Sequence, residues 1–302
     1  MNENKQNTRI IGKYEGDKEG PLLLVTAGVH GNEPSGVKAL ESVFAELKKT
    51  QPSLKGTLLG LRGNDKALGK GKRFIDEDLN RTWTEKNLQT NTPASHEQKE
   101  MQEIIEILKD YSEEKYPERY FIDCHTTSSD SLPYISVQEV GKNDAFAHRF
   151  PGYIVRGFSD IVDGSIDKYF SKQGITGFTF EAGQHTAKTS EENHRAIILL
   201  ALNEACGLDL KNISDHPEFK ETYENKFEQG QKTFKIIYRH GIEDETEFKM
   251  KPGFENFEKI TKGQVLAVQD GKEIKSEWDA RIFMPLYQSQ GNDGFFVIEE
   301  AE

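Results

Sequence analysis

The sequence predicts an α/β fold with a mixed, largely parallel central sheet flanked by helices, followed by a small β-rich C-terminal domain. Over the first two-thirds of the 302 residues, short apolar runs alternate with longer helical patterns. From about residue 215 the pattern changes to short alternating stretches punctuated by Gly and Pro, which is typical of a barrel or sandwich. We therefore expect one domain over residues 1–211 and another over 217–302, joined by a polar linker at 212–217.

The apolar run at 21–28 gives the clearest strand signal, because a continuous run suits a strand buried on both faces. Further strands are predicted at 57–61, 120–124, 134–137, 153–156, 177–180, 233–238 and 264–268. Helices are predicted at 35–49, 96–111, 165–173 and 190–206. The helix near 96 begins with a capping-box pattern from Ser95 to Gln98, followed by apolar residues at helical spacing.

Composition excludes several classes of protein. The 39 basic and 51 acidic residues give a net charge of −12, which argues against a nucleic-acid partner. The longest apolar run, residues 196–202, is far shorter than the ~20 residues of a membrane span. The N-terminus lacks the apolar core of a secretory signal, so we expect a cytoplasmic protein. With only two cysteines, any metal ligands must be His and carboxylates.

Two histidines and one glutamate follow predicted strands. His30 and Glu33 lie in the loop after the strand at 21–28, and His125 ends a different strand. Ligands gather at the carboxyl ends of strands in such sheets, and a His₂Glu set is the composition of a catalytic zinc site with an open fourth position. Two roles are equally expected for Asp123: it either orients an imidazole or caps backbone amides at the strand end.

A long polar loop supplies further candidates. Arg73, Asn80 and Arg81 offer planar donors that match carboxylates and developing oxyanions. The alternative is a solvated basic segment, which would otherwise be the commoner explanation for Lys70, Lys72 and Arg73. Glu181 ends a strand and can serve as a general base if it lies within hydrogen-bond reach of a reacting water.

Four separated motifs together resemble the succinylglutamate desuccinylase/aspartoacylase family, which is related to the zinc carboxypeptidases. They are Gly28-Val-His30-Gly-Asn-Glu33, Arg73-Phe-Ile-Asp-Glu-Asp78-Leu-Asn80-Arg81, Asp123-Cys-His125-Thr-Thr-Ser and Glu181-Ala-Gly183. The resemblance covers the first ~210 residues and implies that they form a zinc-dependent hydrolase domain. A β-rich region after it is also what the family has.

The resemblance implies a role for each matched residue. His30, Glu33 and His125 bind one Zn²⁺ per chain. Glu181 activates the metal-bound water, and Arg73 polarises the scissile carbonyl. The substrate-binding set is Asn80 and Arg81, which hold the substrate's carboxylate, and Asn64, which with Asp78 matches family positions in this loop.

The expected reaction is hydrolysis of the amide bond of an N-acylated amino acid or similar small amide. The alternatives are a carboxypeptidase-like peptide hydrolase and a non-catalytic metal-binding module. Family members that cleave acidic acyl groups carry an Arg where this chain has Ser171, with Lys168 and Lys172 nearby, and Tyr287 is offset from a family substrate-site Tyr. The β-rich region either stabilises or oligomerises the chain or gates the site, and a homo-oligomer is possible.

Overall fold

The computed structural model describes residues 9–213, 230–243 and 247–301, whose strands form an 11-stranded mixed sheet and a 3-stranded antiparallel sheet. The strands are β1 (Ile10–Glu15), β2 (Lys18–Ala27), β3 (Lys55–Arg62), β4 (Arg119–Thr127), β5 (Tyr134–Ser136), β6 (Tyr153–Arg156), β7 (Thr176–Gln184), β8 (Thr233–Gly241), β9 (Phe248–Met250), β10 (Lys259–Ile260), β11 (Val265–Gln269), β12 (Lys272–Lys275), β13 (Ala280–Phe283) and β14 (Asp293–Glu300). The helices are α1 (Ser35–Thr50), α2 (Asp65–Lys70), α3 (Glu85–Leu88), α4 (His96–Leu108), α5 (Asn143–Ala147), α6 (Phe158–Ile161), α7 (Ile166–Lys172) and α8 (Lys188–Cys206), with 3₁₀ turns at Leu79–Arg81, Lys109–Tyr111 and Leu210–Asn212.

The large sheet has the order β1-β3-β2-β4-β7-β5-β6-β8-β14-β13-β10. Its centre, β3-β2-β4-β7, is parallel, so the carboxyl ends of these strands meet at one edge. Strand β5 runs antiparallel to β7 and begins at that same edge. This arrangement confirms the predicted mixed, largely parallel central sheet.

Both faces of the sheet are covered because its central strands are apolar on both sides. In β2, Leu23 and Val25 join the core that α1 and α8 cover, whereas Leu22 and Leu24 face the core formed with α4 and α7. The alternation follows from the period of two residues in a strand, and burial on both faces explains why the run at 21–28 lacks charged residues.

The helices begin and end where the sequence gives local signals. The Ser95 hydroxyl accepts a hydrogen bond from the Gln98 amide at the start of α4, which confirms the predicted cap. Gly207 ends α8 in the left-handed conformation, as a glycine after a helix commonly does. Helix α4 stops at Leu108, earlier than predicted, because the chain tightens there into the 3₁₀ turn Lys109–Tyr111.

The C-terminal region extends the central sheet and adds the small one. Strand β6 pairs in parallel with β8, and β14, β13 and β10 continue the sheet antiparallel. The small sheet β12-β11-β9 packs on this extension around Leu266, Ile282 and Val297. The predicted linker at 212–217 lies mostly outside the described residues, and the division into two domains stays a prediction. No helix in the described part of the chain is long and apolar enough to cross a membrane.

Candidate active site

The candidate site lies at the carboxyl edge of the parallel strands. His30 and Glu33 lie in the loop between β2 and α1, and His125 lies near the end of β4. Glu181 on β7 is directly opposite His125 in the strand register, so the two side chains share a face of the sheet. The topology therefore brings together four side chains from three segments that are distant in sequence.

His30, Glu33 and His125 form a buried cluster whose potential ligand atoms lie within 4.8 Å of one another. The Nδ1 atom of His30 is 2.9 Å from one carboxylate oxygen of Glu33, and the Nδ1 atom of His125 is 3.2 Å from the other. Both imidazoles thus present Nδ1 to the same carboxylate, and the three groups converge on one point. This His-Glu-His donor set fits a divalent metal ion of the kind that binds imidazole and carboxylate ligands.

The other ring nitrogens of the two histidines are held by separate carboxylates. The Nε2 atom of His125 lies 2.8 Å from Asp123, and the Nε2 atom of His30 lies 3.0 Å from Asp78. Carboxylates in this position fix the tautomer and the ring orientation of metal-binding histidines. Asp123 therefore orients the His125 imidazole, which is the first of its two predicted roles. Asp123 also accepts a 2.6 Å hydrogen bond from the Thr26 hydroxyl.

The cluster carries strongly perturbed ionisable groups. Although burial disfavours its charge, His30 and His125 hold the pKa of Glu33 well below its usual range. Burial likewise opposes the charge of His125, but Asp123 and Glu33 raise the pKa of its imidazole well above the ordinary value. Burial raises the pKa of Glu181 to about 8, and its Oε2 atom has no hydrogen-bond partner among the described residues. Such a carboxyl group can take up and release a proton near neutral pH.

Arg73 lies in the loop between α2 and the 3₁₀ turn Leu79–Arg81, and its side chain approaches Glu33 of the His-Glu-His cluster. Its Nε and Nη2 atoms donate to one carboxylate oxygen of Asp78 at 3.0 and 2.8 Å, and its Nη1 atom lies 3.7 Å from Glu33. Burial disfavours the charge of Arg73, but Asp78 and Glu33 raise the pKa of the guanidinium above its ordinary value. Arg73 is therefore a fixed cation beside the His-Glu-His cluster.

Asn80 and Arg81 both line the cavity beside this cluster. The Asn80 side-chain oxygen accepts a 2.9 Å hydrogen bond from the Ile166 amide, which anchors the 3₁₀ turn to α7. The Arg81 guanidinium donates to Asp293 of β14 at 2.8 Å. The C-terminal region therefore contacts a predicted substrate-binding residue directly.

Asn64 is fully buried and does not line this cavity; its contacts support the loop, as the resemblance implied, and its assignment to the substrate-binding set stays a prediction. Its side chain caps α2 and donates to Glu97 at 2.9 Å. Glu97, which the sequence analysis missed, also accepts hydrogen bonds from the backbone amides of Ile75, Asp76 and Glu77. This buried carboxylate holds the loop that carries Arg73, and no local sequence signal reveals it.

The cavity beside the cluster has a volume of about 80 Å³. Its inner wall includes polar residues that the sequence analysis did not single out: Ser136, Gln138, Ser165, Asp167 and Thr179. Phe158, Val162 and Met284 add apolar contacts, and Met284 belongs to the C-terminal region. A cavity this narrow favours a small substrate.

Four other residues considered in the sequence lie outside this cavity. Ser171 is buried and donates to the Asp167 backbone carbonyl at 2.7 Å. Lys168 pairs with Asp163, and Lys172 lies 3.5 Å from Glu85. The Tyr287 hydroxyl donates to the Lys251 carbonyl within the C-terminal region.

His185 lies near the site without being fully exposed. One ring nitrogen is 2.7 Å from the Thr126 hydroxyl and the other is 3.2 Å from the Gln288 side-chain oxygen. Burial lowers the pKa of His185. These contacts tie the loop after β7 to the C-terminal region.

The fold and site together define an α/β enzyme with a His-Glu-His cluster at the carboxyl edge of its sheet. The family model of the succinylglutamate desuccinylase/aspartoacylase catalytic domain matches residues 19–203, more than half of the chain. The chain therefore belongs to this family of hydrolases, as the four sequence motifs predicted.

Individual relatives agree with this assignment. A succinylglutamate desuccinylase from Shewanella sp. (strain W3-18-1) is 26% identical over 283 residues, covering 86% of this chain and 76% of that protein. The structure is similar to a succinylglutamate desuccinylase/aspartoacylase from Rhodobacter sphaeroides, with a TM-score of 0.70, 18% identity and coverage of 96% of this chain and 88% of that one. It is also similar to murine aminoacylase 3, with a TM-score of 0.63, 18% identity and coverage of 95% and 97%. At these identities the structural likeness shows the fold alone.

Proposed function

We propose that this protein is a zinc-dependent deacylase that cleaves the amide bond of an N-acylated amino acid or a similar small amide. The observation that carries the proposal is the convergence of both His Nδ1 atoms on Glu33, with Glu181 and Arg73 beside them. One Zn²⁺ per chain would be held by His30, Glu33 and His125. A zinc ion in such a site lowers the pKa of water and polarises a carbonyl group.

Glu181 is the general base and then the general acid of the proposed reaction. Its unpartnered Oε2 atom can accept the proton of the attacking water and later donate it to the departing amine. The hydroxyl of the water adds to the acyl carbon, and the C–N bond then breaks to give a carboxylic acid and a free amine. The buried position of Glu181 keeps competing water from this proton transfer.

Arg73, Asn80 and Arg81 position the substrate in this proposal. The Arg73 guanidinium, held by Asp78, donates to the oxygen of the acyl group as negative charge develops on it. Arg81 and Asn80 bind the carboxylate of the amino-acid part, because a guanidinium matches a carboxylate with two parallel hydrogen bonds.

The cavity favours this function over the two alternatives. A volume of about 80 Å³, closed in part by Met284, accommodates a small amide better than an extended peptide. Structural zinc sites are closed by four protein ligands, whereas the cluster in the described part of the chain consists of three. The open position supports a catalytic site rather than a structural one.

The experiment compares amine release from a panel of N-acyl amino acids and C-terminally varied peptides by wild type, Glu181→Gln and the exposed control Glu106→Gln. We expect wild type and the control to release amine from members of the first group. Glu181→Gln should lose at least ~100-fold in kcat, as removal of a general base does. Full turnover by Glu181→Gln would contradict the mechanism, and cleavage of the peptides alone would support the carboxypeptidase-like alternative.

A further inference from the structure

The inner wall of the cavity carries a buried hydrogen-bond acceptor without a partner. Gln138 lines the cavity, is 2% exposed, and donates from Nε2 to a carboxylate oxygen of Asp167 at 2.8 Å. Its Oε1 atom has no hydrogen-bond partner among the residues that the structure describes. Buried polar atoms are nearly always paired with protein or water, so this acceptor is available to a hydrogen-bond donor that enters the cavity.

The orientation of the Gln138 amide follows from its neighbour. An ionised carboxylate only accepts hydrogen bonds, so the amide nitrogen must face Asp167 and the oxygen must face away from it. Asp167 is fixed in turn, because it accepts from the Ser165 hydroxyl at 2.5 Å and from the Lys168 amide at 2.7 Å. Gln138 therefore presents its side-chain oxygen, a hydrogen-bond acceptor, to the cavity. Turning the amide around to present the nitrogen instead would break the hydrogen bond to Asp167.

The strand register connects this acceptor to the reaction centre. Tyr134 of β5 lies opposite Glu181 of β7, and Ser136 lies opposite Thr179, so these side chains share one face. Gln138 lies two residues beyond Ser136, past the end of β5, and lines the same cavity as Ser136, Thr179 and Glu181. The cavity therefore extends from the proposed general base to the Gln138 acceptor, where a substituent of the substrate would lie.

In the described part of the chain, the cavity near Gln138 lacks the free positive charge that an anion-binding site needs. The two arginines that line the cavity each pair with an acid, Arg73 with Asp78 and Arg81 with Asp293. The proposed function already assigns these arginines to the acyl oxygen and to the carboxylate of the amino-acid part. Asp167 accepts its hydrogen bonds from uncharged donors. A carboxylate entering here would meet the charge of Asp167 and the lone pairs of Gln138.

We propose that Ser136, Gln138, Ser165, Asp167 and Thr179 form a specificity subsite that accepts a hydrogen-bond donor of the substrate and discriminates against a carboxylate. Gln138 receives the donor, and Asp167 positions the Gln138 amide and repels anions. Carboxamide, ammonium and hydroxyl groups fit this chemistry. The inference rests on the proposed function, since it concerns the substrate of the same site.

The test uses N-acetylasparagine and N-acetylaspartate, which differ only in a carboxamide against a carboxylate, with N-acetylleucine as an apolar reference. We expect wild type to favour the asparagine derivative over the aspartate derivative at least tenfold in kcat/KM. Gln138→Met, which keeps the side-chain length, should lower kcat/KM for the asparagine derivative about tenfold relative to the leucine derivative, a loss expected when an acceptor for a bound polar group is removed. Gln102→Met, at a hydrogen-bonded site on α4 away from the cavity, should retain the wild-type ratio.

A second measurement separates failure of the subsite from failure of the proposed function. Calorimetric binding of the same compounds to Glu181→Gln does not require turnover, and we expect the asparagine derivative to bind more tightly than the aspartate derivative. If the enzyme hydrolyses both derivatives equally, or favours the aspartate derivative, the subsite proposal is wrong and the proposed deacylase function is still supported. If nothing is hydrolysed, the binding order decides: tighter binding of the asparagine derivative supports the subsite, and tighter binding of the aspartate derivative or no binding overturns it.

Discussion

Single residues near the candidate metal site differ in how far their roles can be predicted from sequence. His30, Glu33, His125 and Glu181 were identified because each follows or ends a strand, and parallel strands bring their carboxyl ends together. Glu97 and the orphan oxygen of Gln138 were not identified, because their significance arises from contacts between distant segments. A polar residue within a helix or beside a strand gives no sign of what it will meet.

Asp123 gives a test at the residue scale. Its carboxylate holds Nε2 of His125, so Asp123→Asn should weaken zinc binding by about 10–100-fold, the usual cost of losing such a partner. Competition with a chelator, starting from metal-free protein, measures this affinity. Asp110→Asn, an exposed change on the 3₁₀ turn after α4, is the matched control. Unchanged affinity in Asp123→Asn would show that the carboxylate does not tune the ligand.

At the scale of elements, the site depends on how closely the β2–α1 loop packs against α2. Gly31 is the contact point: a Cβ there would lie 2.0 Å from the Ala67 carbonyl carbon, and the Gly31 amide donates to the Arg73 carbonyl. The backbone of Ala67 cannot give way as a flexible side chain would. The requirement for glycine thus lies in the contact between the β2–α1 loop and helix α2, which the sequence motif alone does not explain.

Gly31→Ala should therefore destabilise the fold by ~2 kcal/mol or more through overpacking and should reduce zinc affinity as His30 and Glu33 shift. Gly69→Ala is the matched control, since a Cβ at Gly69 meets nothing within 4 Å and alanine favours the helix. Urea unfolding of both variants measures the difference. Equal stability of the two would refute the close-packing argument.

Strand positions were more predictable than strand partners. The apolar runs located β2, β4 and β7 to within a few residues, because burial on both faces leaves a direct compositional signal. The pairing of β6 with β8 could not be read from the sequence, since their register depends on tertiary contacts and not on the local pattern of either strand. Of the C-terminal strands, the sequence predicted β8 and β11, but not β9, β10, β12, β13 or β14, nor the continuation of the central sheet through this region.

At the scale of the whole molecule, the C-terminal region contributes residues to the candidate site. Asp293 of β14 accepts hydrogen bonds from Arg81 and from Arg239 of β8, and Met284 lines the cavity. These contacts place the region beside the cavity, and the choice between a stabilising or oligomerising role and a gating role stays a prediction.

Asp293→Asn should raise KM about tenfold and change kcat little, because Arg81 and Arg239 then repel each other and Arg81 loses its fixed position. Steady-state kinetics with an N-acyl amino acid measures this separation, and Asp279→Asn, exposed in the same region, is the control. A fall in kcat at constant KM would instead indicate that Asp293 acts on the chemical step.

The central claim is that His30, Glu33 and His125 hold the metal on which hydrolysis depends. Metal content by plasma mass spectrometry, together with amine release, tests it most directly on wild type, Glu181→Gln and the double variant His30→Ala/His125→Ala. We expect about one zinc per chain in wild type and Glu181→Gln, activity only in wild type, and loss of both zinc and activity in the double variant. Zinc retained by the double variant, or hydrolysis by metal-free wild type, would contradict it.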